Sequence, residues 1–145
     1  MNTLNNLLKE RNLPPLKSKE EMLDILLKEE YGYLPPKPES ISFESEENFI
    51  KNFCAGHARM NRITAKCRVN GKDFSFPFHC VLPTAEGKHP FFIHINFRRD
   101  NPDRYMPTEE IIDNGFACAS FCYQNVTRDD GDFTNGLAGI IYKSS

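Results

Sequence analysis

His89-Pro90-Phe91-Phe92-Ile93-His94-Ile95-Asn96-Phe97-Arg98-Arg99-Asp100, then Tyr105-Met106-Pro107-Thr108-Glu109-Glu110-Ile111-Ile112-Asp113-Asn114-Gly115, then Phe116-Ala117-Cys118-Ala119-Ser120-Phe121-Cys122-Tyr123 is the stretch that decides the fold. It reads as strand, loop, short helix, strand. Residues 91–97 are an unbroken apolar run of strand length, the pattern of a strand buried on both faces. Pro107 fits the first turn of a helix, where its missing N–H costs nothing. Glu109 and Glu110 fall near the positive end of the helix dipole. Gly115 stops the helix in the left-handed cap conformation. Residues 116–123 form a second apolar run. Two such strands joined through a helix make a βαβ unit with a right-handed crossover. The rival arrangement is a hairpin plus an unattached helix.

Upstream, residues 60–82 alternate with period two. Ile63, Ala65, Cys67 and Val69 alternate with Arg62, Thr64, Lys66 and Arg68; Phe74, Phe76, Phe78, Cys80 and Leu82 alternate with Ser75, Pro77, His79 and Val81. Asn70-Gly71 between them is a two-residue hairpin turn. That turn pairs Val69 with Lys72, so Cys67 faces Phe74, Ala65 faces Phe76 and Ile63 faces Phe78. The apolar faces coincide, as a hairpin requires. His79 falls on the polar face. Pro77 cannot donate to a ladder, so its nitrogen must point away from a partner or sit at a bulge.

Before the hairpin, Leu4, Leu7 and Leu8 form a short helical stripe within residues 2–11, stopped by Pro14 and Pro15. Ser18-Lys19-Glu20-Glu21 is a capping box that opens a second helix through Met22, Leu23, Leu26 and Leu27, ended by Gly32. Two such helices suit packing or lid material better than chemistry. Residues 31–38, Tyr-Gly-Tyr-Leu-Pro-Pro-Lys-Pro, are stiff and extended. A strap across the domain is the main reading, and a polyproline docking motif is the other. Residues 41–52 are acidic and mixed, and read as irregular or as a short edge strand. The resulting division is a helical segment at 1–33, a proline-rich strap at 34–58, and an α/β portion at 59–145.

The totals bound the class. The chain has 145 residues, 39% hydrophobic and 26% charged, with a formal net charge of -2. It reads as one ordinary globular domain. The charge argues against a general nucleic-acid or anionic-membrane binder. No apolar stretch spans a bilayer. The first residues lack a basic region followed by an apolar core, so a signal peptide is not expected, and the sequence as written reads as cytoplasmic. Five cysteines without framework spacing read as reduced thiols.

With these elements in place, a resemblance enters. Residues 30–36 (Glu-Tyr-Gly-Tyr-Leu-Pro-Pro), the strand ending Ile95-Asn96-Phe97, residues 107–117 and Asp129-Asp130-Gly131-Asp132-Phe133 together resemble the N-terminal part of glucuronoyl-esterase-like and acetylxylan-esterase-like α/β-hydrolases. No single motif is specific; order and spacing carry the likeness, which runs from about Glu30 onward. It implies a partial α/β-hydrolase sheet: N-terminal helices, an antiparallel hairpin, then the βαβ unit, with its second strand inserted between the hairpin and the first. It also implies ester hydrolysis by a serine, a histidine and an acid, on an ester substrate that is often carbohydrate-linked.

The sequence departs from that pattern at the nucleophile. Such enzymes carry a G-x-S-x-G elbow after the next strand, and none is present. Gly136-Leu137-Ala138-Gly139 holds no serine, Ser120 lies inside a strand, and Ser144 and Ser145 lie at the end. The chain is therefore expected to be an N-terminal piece, stopping before the elbow and inactive alone. The strand at 91–97 would then present an open edge through which copies could associate. The alternative is a small non-catalytic binding or interaction module.

Ligands in open α/β sheets sit at the carboxyl ends of the strands. That places Asn96, Phe97, Arg98 and residues 125–132 on the active-site side. Phe97 or Arg98 is the candidate donor of an oxyanion-hole N–H, with an ordinary surface loop as the even rival. Arg98, Arg99 and Arg104 could meet an acidic sugar, although pairing with Asp100 and Asp103 is the simpler use. No catalytic triad, cofactor site or metal site is assigned. Asp129-Asp130-Gly131-Asp132 lacks the spaced ligands and terminal Glu of a calcium loop. His57, His79, His89 and His94 lack metal-ligand spacing; His94 reads as a hydrogen-bonded core histidine. Cys118 and Cys122 share a strand face but lie too far apart to bridge, and a catalytic cysteine–histidine pair is disfavoured because buried cysteines are usually inert.

Overall fold

A computed structural model describes residues 4–100 and 102–142. The chain divides between Pro35 and Pro36 into two units. The first holds α1 (Leu4–Glu10) and α2 (Lys19–Leu26), the latter running on into one wide π turn, Leu27–Tyr31. Ser18 caps α2 as its sequence predicts: the Glu21 N–H donates to Ser18 Oγ at 3.1 Å, and the Ser18 N–H donates to Glu21 Oε2 at 2.9 Å. Gly32, at φ 75°, closes the π turn. Neither α-helix buries a residue; Leu4, Leu7, Met22, Leu23 and Leu26 are exposed. Asn2, the start of the expected first helix, lies outside the described residues, as do Ser144 and Ser145.

The second unit is built on one five-stranded sheet: β1 (Ser40–Ile50), β2 (Ala58–Val69), β3 (Lys72–Pro83), β4 (Phe91–Asn96) and β5 (Ala117–Cys122). The spatial order is β1-β2-β3-β5-β4. All neighbours are antiparallel except β4 and β5, which are parallel and joined through α3 (Thr108–Asp113). This is the βαβ unit, with β5 inserted between the hairpin and β4. The architecture is a partial α/β-hydrolase sheet carrying few helices.

The hairpin register follows from its turn. Asn70 and Gly71 have φ of 50° and 70°, as a type I′ turn requires. Val69 faces Lys72, and the pairing runs unbroken to Ala58 opposite Pro83. A two-residue turn makes Val69–Lys72 a hydrogen-bonded pair, and such pairs alternate along the ladder. Pro77, opposite Thr64, falls at a non-hydrogen-bonded site, so its nitrogen points away from β2. The β3–β5 ladder spans only His79 to Val81 and stops short of Pro77.

One sheet face carries Phe43, Phe74, Phe76, Phe78 and Phe121, with ring centroids 5.6–6.4 Å apart along the series. The other face changes character along its length. Towards the hairpin turn it is charged, with Lys66 paired to Glu44, Arg62 to Glu46, and Arg68 to Glu39 and Asp73. Towards the opposite end it holds the core, where Met60, Ala58 and Val81 pack with Ile112 of α3, and Phe53 and Cys54 close over them. A buried side chain of this size stabilises by ~1.5–3 kcal/mol. His79 sits at this boundary and not on a purely polar face. Its ring lies 5.5 Å from that of Phe49 and its Nδ1 is buried.

Two other expectations change. Residues 41–52 contain most of an eleven-residue edge strand, β1, with a register break between Glu46 and Ile50. The alternation of Ile41 and Phe43 with Ser40, Ser42 and Glu44 is its signal. The apolar run at 91–97 forms β4 but is not buried on both faces: Phe91, Phe92, Ile93 and Ile95 are 50–67% exposed, because β4 is the outermost strand and α3 leans on β3 and β5 instead. The buried strand is β5, where Ala117, Cys118, Ser120 and Cys122 are all enclosed. No helix among the described residues is long and apolar enough to cross a membrane.

Candidate functional site

The parallel pair sets one rim of the sheet, where β4 and β5 both end. Asn96, the last residue of β4, is fully buried and donates through Nδ2 to the Asp100 carbonyl at 3.1 Å, folding the chain back at the strand end. Phe97 stands outward, 79% exposed, with its ring 5.7 Å from Tyr123 at the end of β5. Arg99 Nε donates to Gln124 Oε1 at 3.3 Å. The two strand ends are thus tied together by one aromatic contact and one hydrogen bond.

Arg98 turns towards the loop that leads into α3. Its guanidinium lies 4.6 Å above the Tyr105 ring, and Nη1 is 3.9 Å from Asp103 Oδ1. Arg104 sits 4.9 Å from the same ring, so Tyr105 lies between two cations. Asp103 is nearly buried and accepts from the Tyr105 N–H at 3.0 Å. Stacking and ion pairing occupy Arg98, which favours the simpler of its two expected uses. The rim carries paired arginines and aspartates and one exposed aromatic, Phe97.

Residues 125–132, expected on this same side, form a loop held by its own side chains. Asp132 N–H donates to Asp130 Oδ1, Thr134 N–H to Asp132 Oδ1, and Arg128 N–H to Asn135 Oδ1. The loop carries α4 (Gly136–Tyr142), whose Ala138 N–H donates to Thr127 Oγ1. Among the described residues, no group of three or more His, Cys, Asp or Glu side chains is placed to hold a metal ion.

A cavity of about 470 Å³ opens beside this same loop, between Phe53–Gly56 and the start of α3. Phe53, Cys54, Asp103, Tyr105, Pro107 and Glu109 line it. Cys54 and Ala55 have φ of 48° and 52°, left-handed values that cost a side-chain-bearing residue roughly 1–2 kcal/mol each. Burial pushes the Cys54 thiol up, and Glu109 and Asp113 push the same way, so Cys54 is a neutral thiol and a poor nucleophile. His57 Nδ1 faces Asp113 Oδ1 at 3.8 Å on the exposed surface nearby.

One juxtaposition was hidden in the sequence. The sheet register sets Ser120 of β5 opposite His79 of β3 on one side and His94 of β4 on the other. A serine between two histidines has the composition of a nucleophile and base. The position forbids that use: Ser120 is 2% exposed and sits mid-strand, away from the rim. Burial, with Arg62 adding, also depresses the basicity of His79. His94 is half-buried. His89 serves the backbone, its two ring nitrogens each 3.0 Å from a carbonyl, of Ala85 and of Gly115. Cys118 and Cys122 are buried free thiols, with burial lifting Cys118 to about 11.

No protein-family model matches the chain, and no curated protein matches it by sequence. Solved structures do match. A CE15 glucuronoyl esterase from Teredinibacter turnerae is 16% identical with a TM-score of 0.61, over 88% of this chain and 35% of its own. A glucuronoyl esterase from Solibacter usitatus is 18% identical with a TM-score of 0.60, over 88% of this chain and 42% of its own. A promiscuous CE15 esterase from a marine bacterial metagenome is 13% identical with a TM-score of 0.59, over 92% of this chain and 44% of its own. At these identities the likeness is one of fold. The chain has the fold of part of these α/β-hydrolases and spans less than half the length of each.

Proposed function

We propose that this chain is the N-terminal part of a serine hydrolase acting on carboxylic esters, carbohydrate-linked ones as its likeness to glucuronoyl esterases suggests. The observation that supports the reading is the strand order β1-β2-β3-β5-β4, with its single parallel pair, alongside structures that are glucuronoyl esterases. On this reading the rim at Phe97 and Arg98 borders the substrate, and a backbone N–H there contributes to the oxyanion hole. By the same reading, the nucleophile, acid and histidine belong to the part of the hydrolase that this chain does not span, and the chain itself holds no G-x-S-x-G elbow. The 145-residue chain alone turns over no ester.

The test is the mass of the native product, captured with an antibody against the N-terminal helices and assayed on a methyl glucuronate ester. A product well above 16.7 kDa, with turnover abolished by a serine-directed inhibitor, supports the reading. A product at 16.7 kDa without turnover overturns it and favours a non-catalytic binding module. That second reading draws on the cavity of about 470 Å³ between Phe53–Gly56 and the start of α3, whose lining carries no serine or histidine.

A further inference from the structure

We infer that His89 is a proton-operated latch at the amino ends of the parallel strands β4 and β5: it is closed with both ring nitrogens protonated and opens when one proton passes to solvent. This goes beyond the esterase reading and holds whether or not that reading does.

His89 lies in the connection from β3 to β4. Its Nδ1 is 3.0 Å from the Gly115 carbonyl, and its Nε2 is 3.0 Å from the Ala85 carbonyl. A carbonyl oxygen only accepts. A neutral imidazole has one N–H and one bare lone pair, so it satisfies one of these oxygens and turns a lone pair on the other. The imidazolium donates at both ends, and hydrogen bonds from a charged donor are roughly twice as strong as neutral ones. Only the charged ring makes both contacts together.

The two carbonyls belong to different parts of the βαβ unit. Ala85 stands in the same connection as His89, whereas Gly115, at φ 79°, closes α3 just before β5. Beside the latch, the Ala117 N–H donates to the Pro90 carbonyl at 2.8 Å, where β5 begins to run along β4. Loss of one ring proton breaks one contact and leaves that rung with less support.

The surroundings offer the ring no counter-charge. The Cys80 thiol of β3 and the Cys118 thiol of β5 line a cavity with His89, and burial pushes both up, so both are neutral. Asp113 of α3 and His57 line the space on the other side of Ala85 and Gly115, and face each other at 3.8 Å. Glu86 and Lys88, in the connection itself, are exposed. Among the described residues no carboxylate pairs with His89, so the two carbonyls select its charged form. The sign is opposite to that at His79, whose charged form burial disfavours.

Long-range proton–nitrogen correlation spectra read both ring nitrogens. They are recorded upwards from about pH 5, through the range where histidine changes charge, until His89 loses a proton. Both His89 nitrogens are expected to carry a proton at the low end, and one to be bare at the high end. Across that change the Ala117 amide is expected to lose protection by at least about tenfold, relative to an unstructured peptide at the same pH, while the β2–β3 ladder keeps its own. His89→Phe retains a ring without donors and is expected to show the low Ala117 protection at every pH. His79→Phe is expected to keep the pH dependence at Ala117, which separates the latch from the titration of His79. Should His89→Phe fail to fold, the spectra of the unaltered chain decide. A His89 ring with one bare nitrogen at every pH overturns the inference. A ring that titrates with no change at Ala117 overturns it equally.

Discussion

Gly139 and Thr134 meet backbone to backbone: a methyl group on Gly139 would fall inside the van der Waals surface of the Thr134 carbonyl oxygen. The Gly139 N–H also donates to the Asn135 carbonyl at 2.9 Å, so the turn before α4 is pressed onto the helix. Gly139→Ala forces backbone apart and is expected to cost about 1–3 kcal/mol. Chemical denaturation of the variant checks this, and an unchanged midpoint refutes the contact.

Met60 is fully enclosed between Val81 and Ile112. Met60→Ala leaves a cavity in the cluster that packs α3 on the hairpin and is expected to destabilise by about 2–5 kcal/mol. Because the two side chains share that cluster, Met60→Ala and Ile112→Ala are expected to combine non-additively, by about 0.5 kcal/mol or more in a double-mutant cycle.

His79 makes stability fall in mild acid. Its folded-state basicity is depressed, first by burial and then by Arg62, relative to the ordinary 6.5. The unfolded chain therefore takes up this proton at higher pH than the folded one, and stability declines as pH drops below about 6.5 towards the folded value. His79→Phe removes the titrating group and extends the stacking with Phe49. Thermal melts between about pH 5 and 7 are expected to show a slope in the parent and a smaller one in the variant.

Gly71, at φ 70°, sets the register of the whole hairpin. Gly71→Val puts a β-branched residue where φ is positive and is expected to cost more than about 1 kcal/mol. The loss should appear as faster amide exchange along β2 and β3 together, since one turn governs both.

Cys118 is expected to resist alkylation at pH 8. The thiol is buried and its pKa is pushed up to about 11, so almost none is thiolate there. Iodoacetamide mapping of the native and the denatured chain should show Cys118 labelled only after unfolding; rapid native labelling would contradict the burial of β5.

Much of the fold was legible because local rules agreed with one another. Asn70-Gly71 and the alternation on either side set every pair from Val69–Lys72 outwards, and Pro107 and Gly115 bracket α3. The strand at 91–97 is more exposed than its unbroken apolar run suggests. Hydrophobic periodicity reports what a strand is suited to face, while its exposure depends on what lies beside it, and β4 stands last in the sheet. β1 is longer than its acidic sequence suggests because its charged residues point to Lys66 and Arg62 across the ladder, a partnership that sequence distance conceals. The left-handed run at Cys54 and Ala55 carries no residue signal. The candidate site was legible only as a rim: Phe97 and Arg98 lie at the strand end as expected, but the row His79–Ser120–His94 needed the register of three strands.

The glutamates of β1 acquire a second meaning once β4 is occupied. Whatever strand docks there, β1 becomes an outer margin, and its acidic, bulged backbone is a poor seed for further addition. A sheet extended across β4 would still end at β1, so strand addition would stop there instead of running on into a fibre.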